Sequence, residues 1–351
     1  MRDLDSPSCS KSKFVPHPGI APSDHLVSRP SMSFDDGNLV LVACGSYFLV
    51  HRGVLCRHSA GLAALIYALA DGCTLDGHPT LELQESAHDI SILLHALYDG
   101  FSHVYQNQER IMRIAFVLLN LGITYQIPRL IEEAPDVLLH AWPTSLLQWD
   151  HRSQHMPSTY SEEARDTALP HPIAIINLAR RGDIPELLPA AFYDLSRQPP
   201  SVCAMGFSDV NDCTHHRLSS SDLVLLFQGR EAASRFLSTF IVQAIEARVP
   251  SPNCLNAHVD ASASRVHRCQ KAFQRRAHDI VNDATCGHAA DPLSMLKEVV
   301  RTRAEPGELR FRLCVICATE LERVVEGARQ ILWDRLPVWF GVQGLVDWGS
   351  S

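Results

Sequence analysis

The feature that most constrains the fold of this chain is residues 37–72, GNLVLVACGSYFLVHRGVLCRHSAGLAALIYALADG. Two short apolar runs, Leu39–Ala43 and Tyr47–Val50, flank a Gly-Ser turn, and this spacing predicts a β-hairpin. The chain then passes directly into a helical pattern, for which Ser59 is the predicted N-cap. We interpret His51, at the junction, as a structural residue whose ring bonds a backbone group at the start of the helix. A hairpin that feeds into a helix predicts an α+β fold.

The following residues extend this pattern. Thr80–Gln84 alternates apolar and polar side chains, which predicts a strand with one exposed face. Ser86 is the predicted N-cap of the next helix, and apolar residues at helical spacing predict another helix over 111–119. A further helix is predicted over Ile127–Leu139, and Pro135 is expected to kink or break it.

Proline content and polarity divide the chain into parts. Prolines are frequent before residue 33, the stretch from 150 to 171 is polar, and helical periodicity dominates from residue 172 onward. We therefore predict a flexible N-terminal segment (1–32), a small α+β domain (33–142), a linker (143–171), a helical C-terminal domain (172–341) and a tail (342–351).

Charge, apolar runs and cysteine content argue against several classes of protein. A formal net charge of -8 argues against generic binding to nucleic acid, because phosphate recognition requires a basic surface. The first residues lack the apolar core of a signal peptide, and no apolar run reaches the roughly 18 residues that a membrane span requires. The 11 cysteines lack the density of a secreted disulfide scaffold. We expect an intracellular protein, of cytoplasm or nucleus, with mostly reduced thiols and no membrane association.

Three separated segments carry a resemblance to a known family. DDGNLVLVACGSYFLVHRGVLCRHSAGLAALI resembles the start of a BTB/POZ domain, in which a strand, a turn and a second strand precede a helix. LELQESAHDISILLHALYDG is similar to the third strand and following helix of that fold, and LLNLGITYQIPRLIEEA to its closing helix pair. The resemblance covers about 33–142. The downstream segments IAIINLARRGDIPELLPAAFYDLSR, LSSSDLVLLFQGRE and ARQILWDRLPVWFG resemble the helical region of BTB proteins from mushroom-forming fungi.

The resemblance implies a function in protein interaction. BTB/POZ domains dimerise or dock onto larger assemblies, including cullin ubiquitin-ligase scaffolds. It therefore implies a non-enzymatic adaptor with protein partners, and we expect helices 86–98 and 109–140 to present the docking surface. Many animal members dimerise through an extra N-terminal helix and a swapped strand. The residues before Leu39 are interrupted by prolines, so we expect a monomer or a non-swapped dimer.

Two other functions remain open. One is a zinc-stabilised, transcription-associated regulator, since BTB domains often accompany zinc fingers, although the sequence has no C-x₂₋₄-C…H-x₃₋₅-H finger. The other is an enzyme whose site is assembled only in space. The motifs of nucleotide phosphate loops, hydrolase elbows and zinc proteases are absent. The neighbouring pairs His88-Asp89 and His278-Asp279 point in different directions on a helix, so no catalytic residue is predicted.

Cysteines near the C-terminus form the one candidate site. Cys314 and Cys317 form a C-x-x-C motif, whose spacing lets two thiolates bind one tetrahedral ion. Cys254 and Cys269 could complete the set, and Cys286 with His288 is the competing pair. Three interpretations stay open: a structural zinc site, buried free thiols, and a redox C-x-x-C motif. Cys269 lies on an apolar stripe with Val266, Phe273 and Ile280, so the sequence pattern favours buried free thiols. Related fungal chains often end in a similar L-C-x-x-C segment, so the resemblance adds some support for zinc.

Two further features have a simple interpretation. RVHRCQKAFQRR places basic residues opposite an apolar helix face; we interpret them as the solvated side of an amphipathic helix, in preference to an anion or nucleic-acid contact. Cys213, His215 and His216 are metal-ligand types within a polar stretch, and we interpret them as solvated loop residues.

Overall fold

The computed structural model describes residues 32–69, 74–100, 110–155, 169–208, 215–256, 268–283, 291–300, 312–345 and 348–349. Within these ranges the chain has a mixed α+β fold, in which helices predominate and a small curled sheet lies near the N-terminus. The strands are β1 (Leu39–Ala43), β2 (Ser46–Val50), β3 (Thr74–Leu75), β4 (His78–Leu83), β5 (Phe207–Ser208) and β6 (His215–His216). The helices are α1 (Arg52–His58), α2 (Ala60–Tyr67), α3 (Ala87–Tyr98), α4 (Ile111–Tyr125), α5 (Pro128–Leu139), α6 (Leu146–His155), α7 (Pro172–Gly182), α8 (Leu188–Ser196), α9 (Pro200–Met205), α10 (Ser220–Phe240), α11 (Arg268–Asp283), α12 (Pro292–Val300) and α13 (Val315–Trp339).

The hairpin predicted from the sequence forms the centre of the N-terminal sheet. β1 and β2 pair antiparallel, with Leu39 opposite Val50, and the sheet order is β2-β1-β4-β3. Cys44 and Gly45 connect the strands with φ values of 42° and 79°, the positive values that a tight two-residue hairpin turn requires. β4 joins the other side of β1 in parallel, after the intervening helices.

The start of α1 is satisfied differently from the sequence-based expectation. The side chain of His51 does not cap the helix; the Asn38 side chain accepts a hydrogen bond from the N–H of Arg52 at 2.8 Å. The His51 ring bonds the Tyr98 hydroxyl at 3.1 Å, and the same hydroxyl accepts the His51 backbone N–H at 2.9 Å. The junction histidine therefore ties the end of β2 to the end of α3, through a tyrosine 47 residues away.

Ser59 caps the following helix as predicted and also joins it to α4. Its buried hydroxyl accepts the N–H of Leu62 at 2.9 Å and donates to the carbonyl of Tyr125 at 2.6 Å. The backbones are so close here that a Cβ on Gly61 would lie 2.6 Å from the Tyr125 carbonyl oxygen. Glycine is required at this position because any side chain would separate α2 from the end of α4.

Pro135, which was expected to kink or break its helix, does not break it. α5 runs unbroken over Pro128–Leu139 with Pro135 inside it. Leu130, Ala134 and Leu138, four positions apart, are all buried against the rest of the chain. Their burial offsets the hydrogen bond that proline removes, so packing overrides the local preference.

The C-terminal helices surround a core of large aromatic side chains. Phe192 and Tyr193 of α8 are buried, as is Trp333 of α13. Phe192 stacks on Phe340 with ring centroids 5.3 Å apart, and Tyr193 meets Trp333 edge to face. The same hydrophobic cluster includes residues of α4 and α5, so the helical region and the N-terminal unit pack through a shared pair of helices.

The stretch expected to be a linker contains a buried helix. α6 spans Leu146–His155 and buries Trp149 between Tyr193 and Trp333. Asp150 on this helix accepts hydrogen bonds from Arg329 and Lys297, both at 2.6 Å. Hydrophobic burial and this charge pairing hold α6 in the helical region. Residues 156–168 of the expected linker, and 1–31 of the expected N-terminal segment, lie outside the described residues.

Residues after α13 also contact the core. The Trp348 indole stacks on Trp333 at a centroid separation of 5.1 Å and donates to the Trp333 carbonyl at 2.9 Å. Across the described ranges, none of the helices is both long enough and apolar enough to cross a membrane.

The Arg329 guanidinium allows a test of the packing of α6, because it bonds two carboxylates with different exposure. Its side chain is 3% exposed, whereas Asp150 is 19% and Glu326 is 63% exposed. We expect Asp150→Ala to lower the free energy of unfolding by about 3 kcal/mol, because a buried guanidinium loses its buried partner. Glu326→Ala should cost less than about 1 kcal/mol. Urea denaturation followed by tryptophan fluorescence measures both, and equal effects would contradict the assigned packing.

Candidate metal centre

Four cysteines from three chain segments meet between the helices of the C-terminal region. Cys254 lies in the loop after α10, and Cys269 is at the start of α11. Cys314 is the N-cap of α13, and Cys317 lies in its first turn. The C-x-x-C motif thus spans a helix start, which turns both sulfurs to the same side. The four residues proposed from the sequence are the four that the fold brings together.

The sulfur positions match tetrahedral coordination. All four Sγ atoms lie within 4.8 Å of one another, and Cys254 Sγ is 3.5 Å from both Cys269 Sγ and Cys314 Sγ. Sulfurs about 2.3 Å from a tetrahedral Zn²⁺ are separated from each other by about 3.8 Å. A disulfide requires about 2.05 Å, and all four cysteines are free thiols. The cluster therefore has the size of a four-thiolate metal site.

Hydrogen-bond donors surround the sulfurs. The Cys317 N–H donates to Cys314 Sγ at 3.5 Å, and the Cys314 N–H donates to Cys269 Sγ at 3.4 Å. The side-chain amide of Asn256 donates to Cys269 Sγ at 3.3 Å. Donors directed at sulfur favour the thiolate over the thiol, which is the form that binds a metal. The start of α13 adds the positive end of a helix dipole beside the same sulfurs.

The four thiols differ in exposure and in acidity. Cys254, Cys269 and Cys317 are buried, whereas Cys314 is half-buried. Burial raises the pKa of Cys254 to about 11 and also raises the pKa of Cys317. Burial likewise opposes ionisation of Cys314, but hydrogen bonds from the backbone of Cys317 and Leu255 outweigh it and lower its pKa to about 6. Cys314 is thus the first of these three thiols to ionise, and a cation would be needed to hold all four as thiolates.

Polar and aromatic residues support the loop that carries Cys254. The Ser251 hydroxyl donates to the Glu320 carboxylate of α13 at 2.7 Å, and Arg248 lies 3.8 Å from the same carboxylate. The Arg248 guanidinium also lies over the Phe273 ring, 5.6 Å from its centroid. These contacts place the loop independently of the sulfurs. Spacing along the sequence did not identify Ser251 or Asn256 as part of the site. Ser251 contacts Glu320, which is distant in sequence, and Asn256 contacts Cys269, which the fold brings beside it.

The other cysteine and histidine predictions have different outcomes. Cys286, His288 and Cys213 lie outside the described residues. His215 and His216 form strand β6; His215 bonds Ser208 at 3.0 Å, and the His216 ring stacks on Phe207. The redox interpretation requires a strand before the C-x-x-C motif, and most of the residues that could form it lie outside the described ranges. The described residues 312–314, directly before α13, are irregular.

Comparison with known proteins does not assign the chain to a family: no protein-family model matches it, and no curated protein matches it. The interpretation of the site therefore depends on its geometry and chemistry.

Addition of Co²⁺ to the metal-free protein tests whether the four sulfurs bind one ion. We expect the charge-transfer absorption of a tetrahedral cobalt–thiolate complex, saturating at about one equivalent. Cys317→Ser should lose this spectrum, because it removes one of the four sulfurs. Cys203→Ser is the matched control, since Cys203 is also buried but donates to backbone carbonyls of Leu195 and Gln198. An unchanged spectrum in Cys317→Ser would show that the cluster is not the site.

Proposed function

We propose that this protein is a non-enzymatic protein-interaction module of the BTB/POZ type, which docks partners onto a larger assembly such as a cullin-type ubiquitin ligase. The proposal depends most on one observation. In the N-terminal unit, a hairpin is followed by two short helices, the two-residue strand β3, the strand β4 that pairs in parallel with the first strand, and three more helices. This is the order of elements that the sequence resemblance implies for residues 33–142. The module acts as a monomer or as a dimer without a swapped strand.

Exposed apolar side chains near the end of α2, which point to different sides of this helix, supply the docking surface in this proposal, and we call them the patch on α2. Tyr67 is 70% exposed and Leu65 is 44% exposed, and the Arg52 guanidinium lies over the Tyr67 ring at 4.8 Å. The helices that were expected to present the surface, α3 to α5, leave none of their described large apolar side chains exposed. Tyrosine and arginine are among the residue types enriched at the hot spots of protein interfaces.

The cysteine cluster contributes stability in this proposal, as a structural zinc site. Four thiolates in a closed tetrahedral arrangement leave no position for a substrate, which is typical of structural and not of catalytic zinc. The sulfurs join segments 15 and 45 residues apart, so an ion there closes two loops that would otherwise cost entropy to order. The zinc would hold α11 and the start of α13 together.

A zinc-stabilised regulator that binds nucleic acid receives less support from α11. Arg275 pairs with Asp279 at 3.0 Å, and the guanidinium of Arg276 donates to the Val299 carbonyl. Arg276 is thereby used for packing against α12, and the charge of Arg275 is offset on its own helix. Both contacts favour the amphipathic-helix interpretation, in which the basic residues are structural or solvated.

Binding of the purified full-length chain to a cullin N-terminal domain tests the docking proposal. We expect Leu65→Asp/Tyr67→Asp to weaken binding by at least about tenfold, because charge replaces the apolar anchors. Leu147→Asp is the matched control, since Leu147 is 73% exposed on α6, away from the patch. Surface plasmon resonance measures the affinities. Absence of cullin binding by the wild-type chain would contradict this assignment of the assembly, and equal binding by the double variant would contradict the role of α2.

Metal analysis of the protein, purified without chelator, tests the zinc proposal. We expect about one equivalent of zinc, and a strong chelator should lower the thermal midpoint, because the bound ion stabilises only the folded state. The chelator should leave the midpoint of Cys317→Ser unchanged, since that variant has already lost the site. Fewer than about half an equivalent of zinc in the wild-type protein would rule out this role.

A further inference from the structure

A groove unrelated to the cysteine cluster lies between the end of α10 and the end of α13. It has a volume of about 440 Å³. Its walls include Phe236 and Phe240 from α10, Ala244 from the segment that follows, and Trp339 from α13. Phe236 and Trp339 contact each other across the groove, with ring centroids 5.9 Å apart. Three half-buried aromatic rings thus form an apolar floor that is open to solvent.

Exposed aliphatic side chains extend this floor onto the surface. Val338 is 77% exposed, and it lies three positions after Arg335 on the same face of α13. Val242 is 56% exposed and lies three positions after the groove residue Thr239. They add exposed apolar surface beside the aromatic floor, and contiguous exposed apolar surface is typical of a protein-docking site.

Two arginines give the groove a positive rim. Arg235 and Arg335 both line it, one on each helix, and among the residues that the structure describes no acidic side chain lines it. Both side chains are exposed, and neither forms an ion pair with any of the described residues. In a chain with a net charge of -8, a groove with two unpaired guanidinium groups favours a partner with carboxylates beside its apolar anchors.

The backbone of the groove is unusual as well. α10 does not end at Phe240 but continues as a π-helix over Ile241–Glu246, and the groove residues Gln243 and Ala244 lie in this wider turn. π-helical turns are rare and occur frequently at functional sites.

We infer that this groove binds an acidic, amphipathic helix of a partner protein. The α10 side of the groove runs from Ala232 to Ala244, which at a rise of about 1.5 Å per residue corresponds to about 18 Å, or three turns of a bound helix. Apolar side chains at positions i, i+3 or i+4, and i+7 of that helix contact the aromatic floor. Its aspartates or glutamates pair with Arg235 and Arg335.

A second copy of this chain fits the groove less well. A symmetric dimer brings the same patch of both copies together, so the arginine rims would face each other without acidic partners lining either groove. Like charges placed opposite each other disfavour that contact. The charge pattern therefore favours a different, acidic chain.

This inference deepens the proposed function, because it names the class of partner held by the helical region, and it rests on the protein being an interaction module. Its test is a selection of displayed random 16-residue peptides on the purified full-length protein, followed by fluorescence anisotropy of the enriched peptides. We expect enriched peptides with Asp or Glu and apolar residues at helical spacing. Arg235→Glu/Arg335→Glu should bind them at least about tenfold more weakly, because attraction becomes repulsion.

Arg323→Glu is the matched control, since Arg323 is also exposed on α13 but does not line the groove. It should retain affinity within about twofold, as expected for a distant exposed charge. The variant Leu65→Asp/Tyr67→Asp should also keep peptide binding, which separates this groove from the cullin-docking patch. Three results would each overturn the inference: enriched peptides without acidic residues, equal affinity for the double arginine variant, or a wild-type dimer in light scattering that this variant converts to a monomer.

Discussion

The arrangement of the whole chain depends on two helices that are buried on both sides. Leu118 and Leu121 of α4 pack into the core of the N-terminal sheet, whereas Leu119 packs into the core of the helical region. α5 does the same, with Leu130 in one core and Leu138 in the other. A helix with apolar residues on opposite faces has to be covered on both, so the sheet and the C-terminal helices are held in contact through this pair. Both proposed interaction surfaces, on α2 and between α10 and α13, are built on elements that pack around this centre.

Polar interactions then fix the relative positions of helices that hydrophobic packing alone does not determine. The Ser59 hydroxyl joins α2 to the end of α4, and Asp150 joins α6 to α12 and α13 through Lys297 and Arg329. Such buried groups add little net stability but penalise every arrangement in which they are unpaired. The cysteine cluster has the same effect at the far end of the helical region, since four buried or half-buried thiols can be satisfied together by one ion. In the function we propose, this rigidity would lower the cost of binding, because a preorganised surface loses less entropy when a partner docks.

Sequence reasoning was most successful where the signal was local. The hairpin, the caps at Ser59 and Ser86, and the helix over Ala87–Tyr98 follow from residue types within a few positions of one another. It failed where a distant contact decided the outcome. Pro135 was expected to kink or break a helix that burial keeps unbroken, and His51 was expected to cap a helix that Asn38 caps instead. The helix α6 was missed because its polar residues gave no sign that Trp149 would be buried and that Asp150 would pair with Arg329.

The amino-acid sequence by itself determined the N-terminal hairpin, the helices that Ser59 and Ser86 begin and the C-x-x-C pair, since each depends on backbone preferences and spacing over a few residues. The turn was expected at Gly45-Ser46 but lies at Cys44-Gly45, because Ser46 pairs with Ala43 in the hairpin. It also proposed Cys254 and Cys269 as partners of that pair, without a reason in spacing for their meeting. Only the tertiary structure decided that these four sulfurs share one site, and that Arg235 and Arg335 flank one apolar groove. The physical reason is that local preferences act along the chain, whereas the packing of the core selects which distant segments become neighbours.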